Sequence, residues 1–465
     1  MAEGHSGHGE AAPGDHLQTG YQLWLVGHQL EHGRAPWRDP YSFQPEVKPR
    51  WNLAGWPFGL VYWPLKQAFG TVAAWNLFVL LGFMGTGGLA ALWLRELGLR
   101  RSAALTGGLA FSLAPYLQAQ WSAGHLLAWV AMLLPLSLYG VERARQHSLW
   151  WLLVAALGLA SIPLSGQLHL ALGAIPFFGL YAFVRLRWAV ALVLPALVAG
   201  LLADFAVVRG TTGASGRSFG QVEHYSAGLS DFLSRNWQEV EGIVYLGWTV
   251  LLLAVAGLAV LIAGRRWGLS IVLGVGALVP SLLALGANLP GYETLWRHLP
   301  GLRHTRVPER LMPIACLALA ALVAVAVSRL NWPGTALIVA VLLLVDLHLG
   351  LIDATAADEH NRAYAALRSQ PSGRLVELPA FLPDDQDASV YVYYLMQSHR
   401  AHPSGYSTTA PLAADAALRA LQSAPCRTLA ILEVRYLATH FGRPNPCGGQ
   451  LLSRDGPIAT YAVGR

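Results

Sequence analysis

TVAAWNLFVLLGFMGTGGLAALWLRELGLRR, residues 71–101, settles the class of this chain. Residues 71–94 pass without a charge, and Arg95, Arg100 and Arg101 follow at once. A helix needs about 20 apolar residues to cross roughly 30 Å of hydrocarbon. The run is therefore long enough to span, and the arginines behind it mark a cytoplasmic end. Comparable apolar runs follow at 103–119, 125–140, 148–164, 168–184, 187–208, 242–263, 267–288, 308–328 and 333–352. The expectation is an all-α polytopic membrane protein with about ten transmembrane helices. Composition agrees: of 465 residues 54% are apolar and only 12% charged, with 17 Trp and 16 Tyr suited to membrane interfaces. A soluble globule cannot cover itself with so few charges, and a disordered chain is not this apolar. The net charge of +6 does not imply nucleic acid, because most basic residues fall in short loops where they set topology.

The arginines fix an orientation. Arg95, Arg100, Arg101, Arg143, Arg145, Arg185, Arg187, Arg265, Arg266 and Arg329 occupy every second connection, while those near Ser122, Ser165 and Asn288 are neutral or nearly so. The positive-inside rule then places residues 1–70, 209–241, 289–307 and 353–465 on the non-cytoplasmic side of a plasma membrane. Three parts are expected. Residues 1–70 form an extracytoplasmic segment with amphipathic helices, 71–352 a transmembrane helical domain, and 353–465 a small extracytoplasmic α/β domain. In the last part, Arg374–Leu378, Val390–Tyr394 and Tyr436–Thr439 read as strands and Pro411–Leu421 as a helix. Cys426 and Cys447 lie there and are candidates for a disulfide, which stabilises by roughly 3 kcal/mol where geometry allows.

Candidate chemistry gathers on the outer side. Asp15 and His16 open an amphipathic stretch through Trp24 and His28, followed by His32-Gly33-Arg34. An acid beside a histidine in a membrane-surface segment suits acid–base work on a lipid head group. Asp before a helix equally suits an N-cap. His5, His8 and Glu10 read as a flexible Gly/His tail with weak metal affinity. Arg303, His304, Arg306, Glu309 and Arg310 stand at the outer mouth of the span that begins near Pro308. Three arginines there break the positive-inside trend, and guanidinium groups clamp phosphate bidentately. The alternative is pairing of Arg310 with Glu309 or another helix, and contact with ordinary head groups. His125, Gln167 and His169 open neighbouring spans and line a cavity or cap a helix. Asp204 with Arg209 reads as a local ion pair.

The order of these motifs resembles the GT-C superfamily of multi-pass, lipid-phosphosugar-dependent glycosyltransferases, especially bacterial members and YfhO-like relatives. GDHLQTGYQLWLVGHQLEHGRAPWRDPYSF (14–43) is similar to their first extracytoplasmic loop, and GGLAFSLAPYLQAQWSAGHLLAWVAMLLPLSL (107–138) to the next hairpin. GLRHTRVPERLMPIACLALAAL (301–322) resembles their late Arg-x-Pro-x-Arg span. GRLVELPAF (373–381), YYLMQSHRAHPSGYSTTAP (393–411) and VRYLATH (434–440) resemble their tail. The resemblance implies transfer of a sugar from a polyprenyl-phosphate donor to a glycan, glycolipid or protein acceptor among membrane lipids. Asp15 matches the first-loop carboxylate that acts as general base or helps hold a divalent metal, Mg or Mn. His16, His125, Gln167, His169, Arg303, Arg306 and Arg310 are then the candidate substrate and lipid-phosphate ligands. The family's first transmembrane helix has no counterpart ahead of Asp15, and one acid stands where many members carry two. A transporter and a non-catalytic relative that presents its tail to a partner are the other classes weighed. The absence of an internal repeat disfavours the transporter.

Overall fold

The computed structural model describes residues 1–6, 9–44, 50–208, 210–213, 216–235, 241–299, 301–330, 332, 334–350 and 355–463. They group into two compact units. One comprises Met1–Phe78, Asp204–Ser215 and Ile352–Arg465, the other Val79–Ala203 and Gly216–Leu351.

The second unit is helical and is built around Met312–Arg329 (MPIACLALAALVAVAVSR), which is buried from Met312 to Val327. Its alanines let neighbours come to backbone contact, the packing device of membrane helices. A Cβ on Gly257 would sit 2.0 Å from the Leu322 carbonyl oxygen, and one on Gly107 would sit 3.0 Å from that of Ala320. Among the described residues of the whole chain, six helices are long and apolar enough to cross a membrane: Gly59–Glu96, Leu127–Gln146, Leu168–Arg185, Arg187–Val207, Trp267–Ala284 and Pro308–Arg329. Trp151–Leu164, Trp248–Ala263 and Thr335–Leu347 are apolar but shorter. Of the expected ten, six are of full length and three are shorter. The run 103–119 divides into Arg101–Ser112 and Pro115–Ala123, because Pro115 has no N–H to continue a helix and is favoured at a helix start.

The alternating arginines meet acids at one end of this unit. Glu142, fully buried, accepts from the Tyr181 hydroxyl at 2.6 Å, from Arg185 Nε at 2.5 Å and Nη2 at 2.8 Å, and from Arg145 Nε at 3.1 Å. Trp93 Nε1 donates to the Tyr181 hydroxyl at 2.8 Å, and Arg143 pairs with Glu96 at 3.3 Å. Both Glu142 oxygens are therefore satisfied, which is what a buried carboxylate requires.

In the first unit the N-terminal segment and the tail fold together. Ala2–Glu3 pairs in parallel with Ala356–Ala357. Glu10 is buried and accepts from His440 Nδ1 and the Phe441 N–H, each at 2.7 Å. The reading of Glu10 as part of a flexible tail is corrected by these bonds; His8 lies outside the described residues. The helix Asp15–Glu31 packs on Ala388–Ser398. The tail carries a four-stranded sheet. Arg374–Leu378 runs parallel to Val434–Thr439, which is antiparallel to Ile458–Ala462, itself antiparallel to Gln450–Asp455. The parallel pair is joined through the helices Leu412–Ser423 and Pro425–Ile431, the crossover that parallel strands need. Val376, Leu418, Leu429 and Leu437 close the core between them. Val390–Tyr394, expected as a strand, lies in the helix Ala388–Ser398. All eleven of that helix's residues are buried, so its aromatic and β-branched run has no polar face to reveal a helical period. Cys426 and Cys447 form a disulfide.

Candidate functional site

Met312–Arg329 is preceded by a tight turn, Pro308–Leu311. Pro308 and the turn geometry direct Glu309 inward and leave Arg310 half-buried. Arg310 Nη2 donates to Glu241 Oε1 at 3.0 Å. His125 Nδ1 stands 3.9 Å from the same oxygen and 2.7 Å from Gln120 Oε1. Glu241 is the hub that joins two sequence-expected residues, His125 and Arg310. Burial by itself would push the Glu241 carboxyl up; the charges of Arg310, then His125 and Arg306, hold it below the usual glutamate range.

Around this pair the hydrogen-bonding capacity is left open. Glu309 is fully buried, and neither of its carboxyl oxygens has a partner among the described residues. Glu241 Oε2, the Tyr116 hydroxyl and Gln120 Nε2 are likewise buried without one. Tyr116 and Glu309 both feel the charges of Glu241 and Arg310, which places all four together. Leaving one buried polar group unsatisfied costs about 1–3 kcal/mol, more when it is charged. A cluster of such atoms in a helical unit whose other buried acids, Glu142 and Asp346, are fully bonded marks a place shaped for a ligand. It offers the tyrosine hydroxyl and the glutamine amide as donors, and the facing carboxyl groups of Glu309 and Glu241, beside guanidinium groups.

The remaining arginines extend the same side. The Arg306 guanidinium lies over the Tyr225 ring, 5.2 Å from its centroid, a cation–π seat that leaves its edge for a ligand. His169 Nε2 is 3.2 Å from the His304 carbonyl oxygen and lies in the field of Arg310 and Arg306. Arg303 is exposed, and its carbonyl accepts from the Arg217 N–H at 3.1 Å. Gln167 occupies the cap position of Leu168–Arg185, with no side-chain capping bond. His125, His169, Arg306 and Arg310 thus share one polar neighbourhood with Glu241, whereas Arg303 sits on its exposed rim. Of the alternative partners expected for Arg310, Glu309 or another helix, the hydrogen bond observed goes instead to Glu241. Sequence reasoning missed Glu241 because it lies 69 residues from Arg310. The available signal was an acid in a polar loop just ahead of the apolar run 242–263.

Asp15 and His16 belong to the other unit. The helix begins at Asp15 itself, and Gly14 holds the cap position with no side-chain capping bond. The N-cap reading of Asp15 is therefore corrected: the carboxylate rides in the first turn, where the helix dipole favours an anion. The Gly14 N–H donates to Ser389 Oγ at 2.9 Å. His16 Nε2 meets the Thr355 hydroxyl at 2.6 Å, and burial pushes its imidazole down to about 4. His16 is thus neutral at physiological pH. A magnesium or manganese ion needs several hard oxygen ligands. Among the described residues, Asp15 is not part of any group of three His, Cys, Asp or Glu side chains with ligand atoms in mutual reach. Asp204 lies in the same unit; its expected partner Arg209 is outside the described residues.

No family model matches the sequence, and no curated protein matches it. Solved structures do. Across 97% of its residues the chain aligns with 39% of the arabinofuranosyltransferase AftD from mycobacteria, at a TM-score of 0.57 and 15% identity. Across 93% of its residues it aligns with 66% of the Archaeoglobus fulgidus oligosaccharyltransferase in its apo form, at 0.52 and 13%. The chain therefore spans well under half the length of the first and less than two-thirds of the second. With its apolar helices and this likeness, the chain shares the fold of these two solved membrane-enzyme structures over most of its length.

Proposed function

We propose that the protein is a membrane glycosyltransferase that takes a sugar from a polyprenyl-phosphate donor on the non-cytoplasmic face of the plasma membrane. The observation that carries this reading is the unsatisfied polar cluster at the head of Met312–Arg329. A sugar phosphate is both an anion and a polyol. Arg306 and Arg310 would take the phosphate oxygens, with the Tyr116 hydroxyl and Gln120 amide as further donors. The open oxygens of Glu309 and Glu241 would accept from sugar hydroxyls. Hydrogen bonds of this kind discriminate strongly, since a ligand lacking the hydroxyl leaves the carboxylates unpaired.

In the reaction, an acceptor hydroxyl oxygen forms a bond to the anomeric carbon while the bond to the phosphate oxygen breaks, with inversion. Asp15 receives the hydroxyl proton, and the polyprenyl phosphate leaves with its charge stabilised by the arginines. Glu241 serves better as the holder of Arg310 than as a base, because the arginine lowers its affinity for a proton. The motif order also resembles that of bacterial YfhO-like proteins. The acceptor is a glycan, a glycolipid or a protein. The test is transfer from a labelled lipid-linked sugar by the purified, reconstituted protein. Asp15→Asn should lower the rate about a hundredfold or more, the usual scale of general-base loss, and Arg310→Lys at least tenfold. Full transfer by both variants would refute the assignment.

A further inference from the structure

One cluster of metal-ligating side chains takes no part in the reading above. His28, Glu31 and His32 occupy the last turn of the helix Asp15–Glu31 and the residue that ends it. Spacings of three and four residues put all three on one helix face, and their ligand atoms lie within 4.8 Å of one another. The order His-x-x-Glu-His is also a spacing used by zinc peptidases.

The surroundings prepare the nitrogens for a metal. His32 Nδ1–H donates to the His28 carbonyl oxygen at 2.7 Å, which leaves Nε2 with the lone pair. A histidine ligand whose second nitrogen is fixed by a carbonyl is the usual outer-shell arrangement of a metal site. His399 repeats it from the other side: Nε2–H donates to the Met396 carbonyl at 3.1 Å, leaving Nδ1 open. His399 ends the helix Ala388–Ser398 in a left-handed backbone conformation, φ 55°, which few non-glycine residues adopt. Its ring centroid is 4.8 Å from that of His28, within reach of a fourth position after a turn of the ring. His28 is held by the Tyr41 hydroxyl at 2.8 Å and by stacking on Trp24 at 4.3 Å. Burial pushes His28 down to about 3 and His399 to about 4, so both are neutral and need shed no proton to bind.

We propose that His28, Glu31 and His32, completed by His399, bind one ion of the zinc, copper or nickel class, clipping the end of the first helix to the turn that follows Ala388–Ser398. Three imidazoles and one carboxylate suit these borderline ions and not magnesium or calcium. The positive charges of Arg34 and Arg368 near His28, and of Arg368 and Lys66 near His399, work against any bound cation, so the nitrogen bonds must outweigh them. His28 is thirteen residues beyond Asp15 on the same helix, about 20 Å at 1.5 Å per residue. The clip is therefore separate from the transfer chemistry, and each stands or falls alone.

The test uses the full-length protein in detergent, stripped with a chelator and titrated with Co²⁺ and Zn²⁺. Metal bound per chain and the cobalt visible spectrum are the readouts. One equivalent should bind, with a tetrahedral cobalt signature, while Mg²⁺ should not compete. His32→Ala and His399→Asn should each weaken binding at least tenfold; His32 is exposed, and asparagine tolerates the left-handed conformation at 399. Zn²⁺ should raise the melting temperature of the parent protein and not of His32→Ala, whose metal-free melting should match the parent's. A double variant His5→Ala/His8→Ala should bind as the parent does. The proposal is overturned by sub-stoichiometric binding, by loss of binding in the His5/His8 variant, or by unchanged affinity in His32→Ala or His399→Asn.

Discussion

Two buried acids stand toward opposite ends of the helical unit and have opposite fates. Glu142 accepts from Tyr181, Arg145 and Arg185, so both its oxygens are bonded. Glu309 is as deeply buried and neither of its oxygens has a partner among the described residues. The helix Leu168–Arg185 shows the separation: His169 opens it beside the Glu309 cluster, and Arg185 closes it on Glu142. Those sixteen residues amount to about 24 Å of rise. One end is finished architecture. The other keeps donors and acceptors without partners among the described residues. Burial is thus a poor guide to function by itself, and the completeness of hydrogen bonding around the buried group is a better one.

The sharpest break in this comparison comes from truncating Glu142. Glu142→Ala strands Arg185 and Arg145 and should cost about 3–5 kcal/mol, the scale for removing one partner of a buried pair. The check is the yield of folded protein and its melting temperature in detergent. Glu309→Gln breaks no hydrogen bond among the described residues. Its stability should stay within about 1 kcal/mol of the parent, while donor binding falls at least tenfold in a titration with the polyprenyl-phosphate sugar. If Glu309→Gln unfolds the protein and Glu142→Ala leaves it intact, the contrast between the two ends is inverted and the account fails.

A pH experiment probes the same pair from another side. Arg310 holds the folded-state value of Glu241 below that of the unfolded chain. The pair therefore contributes its full stability above the ordinary glutamate range and loses it as pH falls through the lowered value. Denaturation followed between pH 6 and pH 3 should steepen near and below pH 4 in the parent and flatten in Glu241→Gln. His16 acts in the same direction over a different window. Its folded value near 4 lies under the usual histidine value, so the unfolded chain takes up a proton first and stability declines from about pH 6.5 downward. Replacing His16 with Gln should remove the upper part of that decline. The smallest effect belongs to Arg303. It is exposed, so Arg303→Ala should change stability by no more than about 0.5 kcal/mol, and donor affinity should fall less than in Arg310→Lys.

What could be read from the sequence follows the range of the interactions. The alternating arginines and uncharged runs are local patterns, and they gave the membrane class. Arg306 and Arg310 stood out because they violate that pattern on the side expected to be non-cytoplasmic. His125 and His169 were marked by their places at helix starts. Glu241 was hidden because its meaning lies in a contact across 69 residues. Glu142 was hidden in the same way: its partners Tyr181 and Arg185 are 39 and 43 residues on. Burial on all sides misled at Val390–Tyr394, where no polar face exposes the helical period. The break at Pro115 was written in the sequence, yet the apolar run around it read as one span. Asp15 looked like a cap because the first helical residue and the residue before it cannot be told apart by pattern; the backbone of Gly14 decides it.

The most direct measurement is a structure of the reconstituted protein with a non-hydrolysable polyprenyl-phosphate sugar bound. The account expects the phosphate in hydrogen-bond contact with Arg310 or Arg306 and sugar hydroxyls on the carboxyl oxygens of Glu309 or Glu241. A donor bound elsewhere, with the Glu309 oxygens still lacking partners, would contradict it.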